Sequence, residues 1–272
     1  MDSIQLSNGV ALPLLGLGVF RIQEGSSVQA AVQTALQVGY RCIDTAALYG
    51  NEKGVGNAIK ASDIERKNIF LTTKVWNTDQ GYEKTLQAFE ASRKRLQVDY
   101  IDLYLVHWPV GNSYVETWKA LEKLYADGKV RAIGVSNFYE HHLTALLDSC
   151  EIVPMLNQVE LHPMLQLPEL RKFCVSYQIQ VQAWAPIMRG KVNRITLLRS
   201  IGARYNKTPA QVALKWAIQH NIAVIPKSEQ PSRIKSNAEI FDFTLSAEEL
   251  QQIDSLDRSI RLGPHPDSFA SP

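Results

Sequence analysis

An α/β chain closed into a (β/α)8 TIM barrel behind an N-terminal β-hairpin is the fold that this sequence predicts. Three observations carry the prediction. Eight short runs rich in β-branched, aromatic and aliphatic residues recur along the chain, separated by amphipathic helical patterns, the alternation that builds parallel βα units. No linker-like, low-complexity or repeated segment interrupts them, so residues 1–272 read as one domain. The turn after the first run, "GLGVFRIQEG", lacks the Gly-x-Gly-x-x-Gly spacing that would favour an open doubly wound sheet.

The elements follow in chain order. "IQLSNGVALPLLG" sets two short apolar runs around Asn8-Gly9, a strong hairpin signal. The eight strand candidates are "LLGLGVF", "YRCIDTA", "IFLTTKVW", "IDLYLVHW", "VRAIGVSNF", "PMLNQVEL", "IQVQAWAP" and "IAVIPKS". "SSVQAAVQTALQVG" opens on serines suited to capping, aligns Val28, Val32, Ala35 and Leu36, and stops at Gly39. "VETWKALEKLYADG" does the same with Trp118, Leu121 and Tyr125 and stops at Gly128. "PELRKFCVSY" is a further helix, and "TPAQVALKWAIQH" puts Thr208 at the N-cap and Pro209 at the first helical position. "SAEELQQIDSLDR" carries a Ser-x-x-Glu capping box from Ser246 to Glu249.

Bulk properties exclude several function classes. With 29 basic and 27 acidic residues the net charge is +2, so no field favours nucleic acid or an anionic membrane. The basic cluster "SRKRL" near residue 94 reads as a solvated helix face. Cys42, Cys150 and Cys174 are odd in number and far apart, which suits neither a disulfide framework nor a zinc ribbon. The start "MDSIQLSNGV" lacks a signal-peptide pattern, and no apolar run approaches membrane-spanning length. A cytoplasmic location is the expectation.

Barrel chemistry sits at the carboxyl ends of strands, and side chains alternate along each strand. Tyr40, Cys42 and Asp44 share one face, as do Phe70, Thr72 and Lys74, and Leu103, Leu105 and His107. If those faces point inward, Asp44, Lys74 and His107 converge at one mouth, with Tyr49 on the loop above. Singly, each has a bland reading as a turn residue, an exposed cation or a packed imidazole. At three successive strand ends, a shared task is the better account. An ammonium about 4 Å from a phenol favours the phenolate by about 4 kcal/mol before desolvation opposes it, enough to bring Tyr49 toward neutrality. Asp44 would orient Lys74, and His107 would hydrogen-bond a substrate oxygen. Such a group can protonate the alkoxide left when hydride adds to a carbonyl.

With those residues in view, the chain resembles the aldo-keto reductases over essentially its whole length. "GYRCIDTAALYGNEKGVG" resembles the family's first signature, with Cys42 where His or Ser is usual; "KVRAIGVSNF" resembles the second and "IPKSEQPSRIKSN" the third. The resemblance implies a catalytic tetrad of Asp44, Tyr49, Lys74 and His107, with Tyr49 as general acid, and a nicotinamide cofactor bound without a Rossmann domain. It assigns Ser136, Asn137 and Gln158 to the nicotinamide carboxamide and Trp184 to the nicotinamide ring. Lys227, Ser228 and Arg233 would surround an adenosine 2′-phosphate, implying NADPH (NADP+), and Asn237 would meet the adenine. Two departures stand out. "APIMRGKV" replaces the usual Ser-Pro-Leu-Gly, leaving Ala185 without a hydroxyl, though Arg189 and Lys191 could face the pyrophosphate; Ser236 replaces a frequent Glu.

Phe20, Trp76 and Trp108 lie at or just after strand ends and form an aromatic wall suited to small aldehydes, α-dicarbonyls, keto-sugars or carbonyl lipids. The tail "RLGPHPDSFASP" offers few bulky residues to close it, as in the branch with 2,5-diketo-gluconate reductases, glyoxal reductases and prostaglandin F synthases. The family default is a monomer acting on a small-molecule carbonyl substrate. A metal-dependent hydrolase is the competing enzyme class. His107 and His162 are too few for it, and His141 and His142, adjacent on a helix, should face apart, so no metal is expected. A non-catalytic NADP(H)-binding sensor or structural relative is the remaining alternative.

Overall fold

The computed structural model describes residues 2–111 and 113–269. Strands β1 (Ser3–Gln5) and β2 (Ala11–Pro13) pair antiparallel, with Ile4 opposite Leu12. Gly9 turns the chain between them at φ 82°, a left-handed conformation that glycine adopts without penalty. The hairpin buries Leu6 and Leu12, and Asn8 Nδ2 donates to the Arg131 carbonyl at the start of a barrel strand. It therefore covers the amino-terminal end of the barrel, opposite the mouth.

Eight parallel strands form the barrel: β3 (Leu17–Gly18), β4 (Cys42–Asp44), β5 (Phe70–Val75), β6 (Ile101–Val106), β7 (Val130–Ser136), β8 (Leu156–Glu160), β9 (Gln180–Trp184) and β10 (Ala223–Ile225). They neighbour one another in chain order, and bridges from Leu15 to Val224 and Gly18 to Lys227 close the ring. The sequence marks a longer first strand than the two residues of regular pairing seen in β3. Glycine explains the tight seam. A Cβ on Gly18 would lie 2.9 Å from the Ile225 carbonyl oxygen, and one on Gly16 would lie 3.1 Å from Ile225 Cγ2, so β3 approaches β10 as closely as glycine permits.

Burial does not alternate in β4, β5 or β6, where every residue is buried, because helices cover the outer face. The phase survives in contacts. Thr73 bonds Glu52 on the outside, while its neighbour Lys74 reaches Asp44 on the inside.

Helices α1 (Ser26–Gln37), α4 (Ser113–Ala126), α6 (Pro168–Ser176), α8 (Pro209–Gln219) and α10 (Ala247–Asp254) coincide with the sequence patterns. The structure adds α2 (Glu52–Lys60), α3 (Tyr82–Leu96), α5 (Glu140–Leu147), α7 (Thr196–Tyr205) and α9 (Pro231–Ala238). Thr208 caps α8 and the Ser246–Glu249 box of α10 forms, both as expected, and Gln211 completes a second box at α8. The serines of α1 do not cap it: Gly25 is the N-cap at φ 92°, and Ser26 and Ser27 lie within the first turn. A glycine is accepted there because the position needs a conformation that serine would resist.

Candidate active site

The loop after β4 builds the centre of the site. Thr45 Oγ1 donates to Asn51 Oδ1 at 2.8 Å, and Asn51 Nδ2 donates to the carbonyls of Val19 and Ile22 at 2.9 and 3.0 Å. That lock ties the loop to the end of β3 and holds the short 3-10 turn Ala47–Tyr49 over the mouth. Lys74, fully buried, donates to Asp44 Oδ1 at 2.6 Å and to the Thr45 carbonyl at 2.9 Å. Its third interaction is with Tyr49 Oη at 3.5 Å. His107, one residue beyond β6, meets the Tyr49 ring edge-on with centroids 5.8 Å apart. Asp44, Tyr49, Lys74 and His107 thus converge as the strand phase requires.

The electrostatics correct one expectation. Burial raises the Tyr49 phenol more than Lys74 lowers it, so the group sits above its ordinary value of 10.0. The ammonium is already committed to Asp44 at 2.6 Å, and a paired charge attracts a second partner less. Tyr49 therefore keeps its proton at neutral pH. Burial opposes the Lys74 ammonium, but Asp44 and Tyr49 outweigh it and hold the amine above the usual lysine range. Burial, then the Lys74 charge, hold the His107 ring well below 6.5, so it is neutral. Its Nδ1 is buried without a partner.

A second hydrogen-bonded group adjoins the first. Gln158 Nε2 donates to Asp44 Oδ2 at 2.7 Å and to Gln182 Oε1 at 2.8 Å. Ser136 Oγ donates to the Gln158 carbonyl at 2.8 Å, and Asn137 Nδ2 donates to Ser136 Oγ and the His107 carbonyl, each at 3.0 Å. Trp184 Nε1 donates to Asn137 Oδ1 at 2.8 Å. Asn137 holds this pose at φ 65°, in the left-handed region that asparagine tolerates better than most residues. The amide hydrogens of Gln158 and Asn137 are spent within the protein. What the cluster retains is acceptor capacity on Gln158 Oε1, Asn137 Oδ1 and Ser136 Oγ, which matches the N–H groups of a carboxamide.

The aromatic residues enclose the mouth. Phe20 lies 4.9 Å from Tyr49 and Trp76 lies 5.1 Å from His107, centroid to centroid. Trp108 lies 4.2 Å from Phe269. That last contact overturns the expectation of an uncovered pocket, because the tail carries Phe269 back over Trp108 and Trp76.

The remaining candidates are more loosely organised. Lys227 pairs with Gly18, which is level with Asp44, so it stands at the mouth; its ammonium is exposed and paired with Glu229. Ser228 and Asn237 are buried, and Arg233 is exposed. Arg189 and Lys191 are exposed on the 3-10 segment Met188–Arg194. Ala185, Met188 and Arg189 all have positive φ, between 51° and 53°, a strained loop for non-glycine residues. Lys74, Asp44 and Tyr49 are linked by direct hydrogen bonds to one another and, through Gln158, to Ser136, Asn137 and Trp184, whereas no such bond joins these outer residues among those described.

Gln182, Thr45, Asn51 and Glu160 escaped the sequence reading. Gln182 and Glu160 are in phase with Trp184 and Gln158 along their strands, the one signal that could have found them. His141 and His142 do not face apart. Their rings lie 3.9 Å apart, and both Nε2 atoms approach Asp267 Oδ1, at 3.1 and 3.5 Å, because they sit in the first turn of α5 beneath the returning tail. They and Asp267 have metal-ligand spacing. However, His142 Nδ1 accepts the Tyr139 N–H, which leaves the proton on Nε2 and no lone pair there for a cation.

Comparison with known proteins agrees with this architecture. The family model described as "Aldo/keto reductase family" matches residues 14–258. The chain belongs to the aldo/keto reductase family. A glyoxal reductase of Bacillus subtilis is 53% identical over 268 residues, covering 98% of this chain and 97% of its own. MGS-M4, an aldo-keto reductase from a deep-sea metagenome library, superimposes with TM-score 0.97 at 46% identity, covering 99% of this chain and all of its own. A mutant of Gox0644 in complex with NADPH superimposes with TM-score 0.95 at 40% identity, covering 99% of both chains. In this aldo/keto reductase, the eight parallel strands with their surrounding helices are the family's barrel.

Proposed function

We propose that this aldo/keto reductase is an NADPH-dependent carbonyl reductase that converts aldehydes and ketones to alcohols, α-dicarbonyls being the substrates of first choice. The observation that carries the reading is Lys74, buried and charged, set between Asp44 at 2.6 Å and Tyr49 at 3.5 Å. The NADPH-bound relative and the relative named glyoxal reductase support the cofactor and the substrate class.

The residues present suit the cofactor. Unspent acceptors on Gln158, Asn137 and Ser136 would hold the nicotinamide carboxamide, and Trp184 would lie against its ring. Lys227, Ser228 and Arg233 would receive the 2′-phosphate, Asn237 the adenine, and Arg189 and Lys191 the pyrophosphate. Bound there, NADPH supplies the hydride that adds to the carbonyl carbon. Tyr49 donates its phenolic proton to the carbonyl oxygen, which yields the alcohol. Lys74 steadies the phenolate that remains, and Asp44 keeps Lys74 charged. Neutral His107 donates a hydrogen bond to the same oxygen and orients it. Among the described residues no helix is long and apolar enough to cross a membrane; we propose a cytoplasmic monomer.

The test follows NADPH absorbance with methylglyoxal or phenylglyoxal. Wild type should oxidise NADPH, and Tyr49→Phe should lose about 10²- to 10⁴-fold in kcat, the usual contribution of a general acid. A variant as active as wild type would remove Tyr49 from its role, and equal efficiency with NADH would remove Lys227, Ser228 and Arg233 from theirs.

A further inference from the structure

We propose that Glu160 is a positioning residue for substrate: its buried carboxylate grips the C-terminal tail and thereby places Phe269 over the active-site mouth. The inference rests on the carbonyl-reductase reading of the site.

Glu160 ends β8 opposite Trp184 of β9 and is fully buried. A buried carboxylate must find donors or lose its charge. Here the tail brings three of them. Glu160 Oε1 accepts the Leu262 N–H at 2.7 Å, and Oε2 accepts the Gly263 N–H at 3.0 Å and Arg261 Nη1 at 3.4 Å. His162 Nε2 stands 3.3 Å from Oε1. Although burial raises the carboxyl, His162 and then the Leu262 and Gly263 N–H groups outweigh it and hold Glu160 below the ordinary carboxylate range. Arg261 also bonds the Tyr139 hydroxyl at the start of α5.

The grip has a steric consequence. Gly263 is pressed against Trp184 so closely that a Cβ would lie 2.5 Å from its Cη2 atom. From this point the tail passes Asp267, held by His141 and His142, and reaches Phe269 on Trp108 at 4.2 Å and Trp76 at 6.3 Å. One carboxylate thus fixes the height of the tail over Trp184 and the entry of its aromatic end into the pocket. Nothing in the proton-transfer chemistry uses Glu160 itself, which is why it acts through the tail.

The experiment uses the full chain with Glu160→Gln, Gly263→Ala and Phe269→Ala, singly and with the first and third combined. Methylglyoxal has no ring to meet Phe269, whereas phenylglyoxal does. Glu160→Gln keeps the shape but presents an amide N–H to one of the tail N–H groups. Its KM for phenylglyoxal should rise about tenfold, the scale of one lost charge-assisted hydrogen bond, with kcat and the methylglyoxal KM nearly unchanged. Gly263→Ala should show the same split, because its Cβ lifts the tail while Glu160 stays intact. On the Phe269→Ala background, Glu160→Gln should add nothing further. Equal losses with both substrates, or an undiminished effect without Phe269, would overturn the proposal. Amide exchange gives a readout independent of turnover: the Leu262 and Gly263 N–H groups should exchange faster in Glu160→Gln, and unchanged exchange overturns the grip. Should wild type reduce neither carbonyl, the reductase reading fails while the exchange result still decides whether Glu160 holds the tail.

Discussion

Lys74 is a fully buried cation whose sole carboxylate partner among the described residues is Asp44. Removing one partner leaves the other charge buried and unpaired, which costs about 3–5 kcal/mol. Lys74→Met should therefore lower the urea midpoint markedly, and Asp44→Asn in the same chain should recover part of that loss without restoring activity. The pH behaviour belongs to Tyr49. Burial holds its phenol above the ordinary value of 10.0, so the proton that the proposed reduction draws on is present throughout the neutral range and is lost only in strong alkali. The kcat for reduction should stay level from about pH 6 to about pH 9. A fall centred near pH 7 would mean that another group limits the chemistry. The convergence of Asp44, Lys74 and His107 was legible because these three chemically distinctive residues stand at consecutive strand ends, with Tyr49 on the loop above. The balance inside Tyr49 was not, because a Coulomb term can be guessed from residue types whereas desolvation depends on what surrounds the phenol.

Among the elements, α10 shows how far local pattern reaches. Ser246 accepts the Glu249 N–H while Glu249 accepts the Ser246 N–H, and Ser246→Ala should cost about 1 kcal/mol by chemical denaturation. Helix α5 behaves differently. Burial, then neighbouring His141, depress His142 from 6.5 to about 4, with Asp267 opposing and His265 adding to the depression. Because the folded value lies below the unfolded one, its contribution is present above about pH 6.5 and is lost as pH falls toward about 4. The melting temperature of wild type should fall more between pH 7 and pH 5 than that of His142→Gln. Sequence spacing sent these two rings apart; the first-turn position and the tail brought them together.

At the scale of the whole molecule, the barrel closes where β3 meets β10. A Cβ on Gly18 would meet the Ile225 carbonyl oxygen at 2.9 Å, and backbone cannot swing aside as a side chain can. Gly18→Ala should destabilise the fold by about 1–3 kcal/mol. Since Gly18 is bridged to Lys227 and level with Asp44, it should also weaken NADPH binding, measured by fluorescence titration. Wild-type affinity in a stable Gly18→Ala protein would show that the seam and the cofactor residues are independent.

The sequence by itself determined the strand–helix rhythm, the inward phase of Asp44, Lys74 and His107, and the family, because periodicity and residue chemistry are local properties written along the chain. Only the tertiary structure decided what long-range packing governs: the tail folded over Trp184 and Trp108, Glu160 as its anchor, His141 and His142 turned toward Asp267, and Tyr49 left protonated. Each depends on groups brought together from distant parts of the chain. Glu160 and Gly263, for example, are separated by 103 residues, and no local pattern specifies that a buried carboxylate will be satisfied by that particular amide.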